Sequence, residues 1–129
     1  MKIILSNDDG ISCQGLISLA KELSIKNEVL VIAPDSDRSA VSHSLSIFKK
    51  FKVEQDFSIP GCTSYKISGT PADCIKFAKL NFKDFDADFV VSGIIGQDFC
   101  VFILGIDPGA HIRSAAWTGC FAVDVFIWP

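Results

Sequence analysis

The sequence predicts an α/β protein of three layers with a mostly parallel sheet. Two observations carry that expectation. Short apolar runs of strand length alternate with segments whose apolar residues recur at helical spacing. Polar stretches rich in carboxylates and hydroxyls then follow the strand ends, where open parallel sheets hold ligands. The chain has 129 residues, 49% of them hydrophobic, which is one domain's worth with enough apolar material for a real core.

The elements follow in order. Lys2–Ser6 reads as a short buried strand, expected near the sheet centre. Leu16, Leu19, Ala20 and Leu23 recur at helical spacing and predict a helix over about residues 12–24. Val29–Ala33 is a second apolar strand, closed by Pro34. The stretch "PDSDRSAVSHS" is dense in turn formers and reads as a loop. Residues 48–57 and 63–68 read as two further strands around a turn at Pro60-Gly61. In "GTPADC", Thr70 suits an N-cap, Pro71 the first helical position and Asp73 the first turn, where the helix dipole favours an anion. That helix is expected to run to about Phe82, and "DADFVVSG" is another buried strand. Beyond Ile94 no sustained period of 2 or 3.6 is legible.

Charge and composition exclude several classes of partner. A net charge of −3 argues against a nucleic acid polymer or an anionic membrane surface. The apolar run after Lys2 is too short for a signal peptide, and the most apolar stretch, residues 99–106, falls far below the ~20 residues that span a bilayer. Five cysteines, an odd number with no CxxC, fit a reduced cytoplasmic setting better than a disulfide framework or a zinc site.

The carboxylate pair Asp8-Asp9 follows the first strand inside "SNDDG" and admits two readings. Asn, Asp and Gly together make an Asx-turn with a solvated second carboxylate. Alternatively, oxygen donors side by side suit a hard divalent cation, whose charge cancels their repulsion. Asp35, Asp37, Arg38 and the serines at 36, 39, 42 and 44 form either an ordinary polar loop or a set of hydroxyl and cationic groups for a phosphate. His43 is either a surface histidine or an acid, base or phosphate donor. Gly69-Thr70 is a plain helix cap, or a source of backbone donors for an anion.

Four segments, "ILSNDDGI", "VIAPDSDRSAVSHSLS", "SGTPADCIKFA" and "DFVVSGI", together resemble the SurE family in order and spacing. Its members are stationary-phase survival proteins that act as metal-dependent 5′-nucleotidases. The resemblance covers residues 1–94 and implies a three-layer Rossmann-like fold, incomplete at the C-terminus. Residues 95–129 then form a diverged or truncated tail of the same domain. The resemblance also implies one divalent metal cation per chain, Mg²⁺ or Mn²⁺, on Asp8, Asp9 and Ser39. Asp8 and Asp9 become the catalytic residues. Asn7, Ser39, Ser42, His43, Gly69 and Thr70 become the phosphate and substrate site for a nucleoside 5′-monophosphate. The family's fourth ligand is an Asn, and here that position is Ile95, which cannot coordinate. Gly109, Ala110 and His111 stand where family members have hydroxyls, although "SAAWTG" echoes the helix start that follows. Family members are longer, and their homodimer or tetramer is built by a C-terminal half.

Two alternatives accompany this reading. One is a catalytically impaired relative that binds nucleotide or metal without turnover. The other is a receiver-type signalling domain, which also carries an acidic pair after its first strand, with Asp56 as phosphoacceptor. The polar residues "KFKVEQ" before Asp56 are unsuited to the buried central strand that such an aspartate ends.

Overall fold

The structure is a computed structural model; it describes residues 1–37, 50–93, and the backbone of 101–106 and 112–115. The chain order is β1 (Lys2–Ser6), α1 (Gln14–Ser24), β2 (Glu28–Pro34), β3 (Val53–Asp56), β4 (Thr63–Ile67), α2 (Pro71–Asn81), β5 (Phe89–Gly93), β6 (Val101–Ile106) and β7 (Ile112–Ala115). Among the described residues one sheet runs in the order β3-β4-β2-β1-β5-β6-β7, so β1 is its middle strand, as its apolar sequence predicts. The pairings β4–β2, β2–β1 and β1–β5 are parallel. Antiparallel strands extend this parallel centre on both sides: β3 on β4, and the pair β6 and β7 beyond β5.

The layering follows from the two-residue period of strands. Ile3 and Leu5 of β1, with Val29, Val31 and Ala33 of β2, pack on Leu16 and Ala20 of α1. The intervening residues Ile4, Leu30 and Ile32 point the other way, onto Cys74 and Ala78 of α2. Both faces of the central strands are therefore covered, which is why β1 and β2 read as continuous apolar runs. The helices must lie on opposite faces if both crossovers share one hand. The connection β1-α1-β2 steps across the sheet one way, and β4-α2-β5 steps back the other way past β2 and β1.

Element ends are set by local chemistry. At α2, Thr70 Oγ1 accepts from the Asp73 amide at 3.2 Å, and Asp73 Oδ2 accepts from the Thr70 amide at 2.9 Å, a reciprocal capping box behind Pro71. Helix α1 has no side-chain cap at Cys13 and starts two residues later than the spacing predicts. Replacing Thr70 by Ala should cost about 1 kcal/mol, the usual value of an N-cap. Urea unfolding of the variant checks this, and an unchanged midpoint would contradict it.

Strand β3 is shorter than the 48–57 segment read from sequence; Phe51 and Val53 pack on the α2 face, while Lys52 and Glu54 stay exposed or half-exposed in an ion pair at 2.7 Å. Asp56 ends this antiparallel outer strand, where its Oδ1 accepts from the Ser58 amide and hydroxyl. A receiver's phosphoacceptor must end a buried central parallel strand, so the fold removes the signalling alternative.

Candidate functional site

Within the parallel strands the order β4-β2-β1-β5 places β1 where the chain's progress across the sheet reverses. The crevice outside the carboxyl ends of the strands at such a switch point is where open α/β sheets bind ligands. Ser6, the last residue of β1, pairs in register with Ser92 of β5. Asn7, Asp8 and Asp9 follow directly and leave the sheet at that crevice.

The turn holds its shape through one side chain. Asn7 is wholly buried; its Nδ2 donates to the Gly10 carbonyl and its Oδ1 accepts from the Gly10 amide, both at 3.1 Å. Both ends of the amide are thus used inside the turn. Asp8 and Asp9 are half-buried, and Asp8 Oδ1 is shielded from solvent. The Gly10 carbonyl also accepts from the Cys13 amide at 3.1 Å, leading the chain into α1.

The end of β2 reaches the same rim. The Ile11 amide donates to the Pro34 carbonyl at 2.8 Å, and the Asp35 amide donates to the Ile67 carbonyl of β4 at 2.9 Å. Asp35, Ser36 and Asp37 are exposed there. The carboxylate turn, the start of the "DSDRS" loop and Ser92-Gly93 therefore converge at one end of the sheet, as the sequence predicts. Ser39, Ser42, His43 and Ile95 lie outside the described residues.

Gly69 and Thr70 sit at the end of β4 and the start of α2. A Cβ on Gly69 would lie 3.0 Å from Asp73 Cβ and 3.0 Å from Phe51 Cε1, so the glycine makes room for the cap. The Thr70 amide and hydroxyl both donate to Asp73 Oδ2 at 2.9 Å. An anion approaching this helix start meets a buried carboxylate already in place. The geometry here is that of the cap.

Behind the rim, burial pushes the Cys74 thiol up to about 12, and the neighbouring Asp73 charge adds to that shift. Ser6 Oγ, also buried, makes no well-formed hydrogen bond, yet lies near enough to Cys74 to oppose the rise. A raised pKa in the folded chain means stability fully present below the ordinary thiol value of 9.0. It is lost as pH climbs towards about 12, because the unfolded thiol ionises first. Iodoacetamide at pH 8 should leave Cys74 unmodified in the native chain and label it in urea. Native labelling as fast as that of free thiol would contradict the burial.

The donor set suits a hard cation. Asp8 and Asp9 offer carboxylate oxygens from one turn, and Mg²⁺ is commonly held by one or two carboxylates with water and phosphate completing its shell. Among the described residues no group of three or more His, Cys, Asp or Glu is gathered for a metal. One feature escaped the sequence reading: Gly10, with φ +102°, lies against the backbone of Ser36. The Asn-Asp-Asp-Gly string was the available signal, since Gly is the residue that accepts such an angle.

Fold and site together define a doubly wound α/β protein whose switch point carries a carboxylate turn. Its particular family is shown by comparison with known proteins. Residues 3–98 match the family model of survival protein SurE, and the chain belongs to the SurE family. It is 45% identical over 96 residues to 5′-nucleotidase SurE of Clostridium beijerinckii, covering 73% of this chain and 37% of that protein. It is 42% identical over 99 residues to 5′-nucleotidase SurE of Pseudothermotoga lettingae, covering 73% of this chain and 36% of that one. The crystal structure of SurE protein from Aquifex aeolicus superposes with a TM-score of 0.61 at 31% identity, covering 74% of this chain and 40% of that one. The chain thus spans less than two fifths of the length of these two sequence relatives. No helix among the described residues is long and apolar enough to cross a membrane.

Proposed function

We propose that this chain carries the metal and phosphate site of a 5′-nucleotidase that hydrolyses nucleoside 5′-monophosphates. The observation that carries the reading is the Asn7–Asp9 turn at the switch point, in a chain 45% identical to a relative named 5′-nucleotidase SurE. Asp8, Asp9 and Ser39 would hold one Mg²⁺ or Mn²⁺, which when bound neutralises charge on the phosphoryl oxygens. Asp8 engages the reacting group, either attacking phosphorus itself or orienting the attacking water, and Asp9 acts beside it. Ser39, Ser42 and His43 steady the phosphate. Asn7 serves the carboxylates rather than the substrate, because its amide is committed to Gly10. The Asp73 carboxylate at the start of α2 favours assigning the phosphate to the Ser39–His43 loop over Gly69-Thr70. Residues 95–129 are taken as part of the same domain, a reading supported by the pairing of β6 with β5.

A second reading, a relative that binds without turnover, is favoured by Ile95 in place of the family's Asn and by the short span of the match. One experiment separates the two: release of inorganic phosphate from a panel of nucleoside monophosphates with Mn²⁺, run beside Asp9→Asn and Ile95→Asn. Release that is lost in Asp9→Asn supports the enzyme, and release that survives it removes the mechanism. Release absent in the native chain and gained with Ile95→Asn identifies the impaired relative.

A further inference from the structure

We infer that Gly10 is a positioning residue that locks the carboxylate turn to the loop after β2, so that the two loops present their ligands as one unit. A Cβ on Gly10 would lie 3.1 Å from the Ser36 carbonyl carbon, 3.4 Å from the Ser36 Cα and 3.4 Å from the Pro34 carbonyl oxygen. All three are backbone atoms and cannot swing aside as a side chain does. The 3.1 Å approach would make the Ser36 backbone give by a few tenths of an ångström, and the φ of +102° at Gly10 is one that L side chains rarely adopt.

The seat is fastened from three directions. Asn7 holds Gly10 from the β1 side through both ends of its amide. The Ile11 amide ties the next residue to the Pro34 carbonyl at 2.8 Å. The Asp35 amide ties the far loop to β4 through the Ile67 carbonyl at 2.9 Å. Asp8 and Asp9 are two and one residues before Gly10, and Ser39 is three residues after Ser36. Displacing the seat therefore shifts the carboxylate turn and the Asp35–Ser36 backbone that leads into the far loop together. The part that concerns metal affinity rests on the nucleotidase reading; the coupling of the two loops does not.

The test uses the full chain with two variants and two readouts. Gly10→Ala introduces the clash and the backbone strain together. Gly10→Asn introduces the clash in a residue that tolerates positive φ better, which keeps the test usable if the alanine variant fails to fold. Amide hydrogen exchange should quicken at Ile11 and Asp35 in concert, while Leu5 and Val31 in the central strands keep their protection. Mn²⁺ affinity, followed by loss of the free-ion electron paramagnetic resonance signal, should weaken roughly 10- to 100-fold, as when an outer-shell partner is removed. A merely structural role would instead quicken exchange everywhere and leave affinity of the folded fraction unchanged. Exchange at Asp35 unaltered while Ile11 opens would overturn the inference. A native chain that binds no Mn²⁺ would defeat the nucleotidase reading, and the paired exchange of Ile11 and Asp35 would then decide the coupling alone.

Discussion

On the proposed reading, Asp8→Asn should abolish the single Mn²⁺ binding event in a calorimetric titration and any phosphate release with it. The substitution is nearly isosteric, so the turn should keep its Asn7–Gly10 hydrogen bonds. What changes is one unit of negative charge at an atom shielded from solvent, where charge interacts more strongly than in water. A carboxamide oxygen is a poor substitute for a carboxylate toward a hard cation. The loss in affinity should therefore exceed the roughly 10- to 100-fold that follows removal of an outer-shell partner. Ile95→Asn should move affinity the other way, since it restores an oxygen donor where the family resemblance places one. Unchanged Mn²⁺ binding in Asp8→Asn would rule out the assigned site, whatever the activity.

The second large effect is on stability. Leu5 is fully buried in the middle strand and packs in the cluster between the sheet and α1. Leu5→Ala should cost about 2–5 kcal/mol, the range for deleting a buried leucine when the surroundings relax only in part. Little relaxation is available, because Ile3, Val31 and Val91 on the same face are themselves buried and held in register by neighbouring strands. A chain of this size has about 5–15 kcal/mol of total stability, so the variant should unfold in much less urea, without a change of slope. The exposed Ile25→Ala is the control and should change little. A cost at Leu5 no larger than at Ile25 would contradict the placement of β1 at the sheet centre.

What was legible from the residues was whatever depends on local pattern. β1 and β2 are continuous apolar runs because both their faces are covered, and α2 announces its start through Thr70, Pro71 and Asp73. The convergence at the rim followed from parallel strands alone, without any long-range contact being known. The antiparallel strands beyond β5 were harder to foresee. "VFILGI" of β6 is an apolar run without alternation, and such a run does not distinguish a buried strand from a short buried helix. The seat of Gly10 on Ser36 joins residues twenty-six positions apart through backbone approach, which no side-chain pattern records. Thr70 illustrates the opposite limit: its sequence fits both a cap and an anion site, and the structure shows the capping geometry.

That carboxylate has a consequence for the order of events. With Asp73 seated at the start of α2, the positive end of the helix dipole is already compensated from within. Lys52, which senses the charge of Asp35, is engaged by Glu54. Asp8, Asp9, Asp35 and Asp37 bring four carboxylates to the described rim, and a phosphomonoester carries charge of the same sign. On the proposed reading, nucleotide and metal are then linked ligands, and each must tighten the other by the same factor. Nucleotide affinity measured in a chelator should collapse, and the apparent affinity should track free Mn²⁺ until the cation site saturates. Such a protein reports the divalent-ion level of its surroundings as much as the concentration of its substrate.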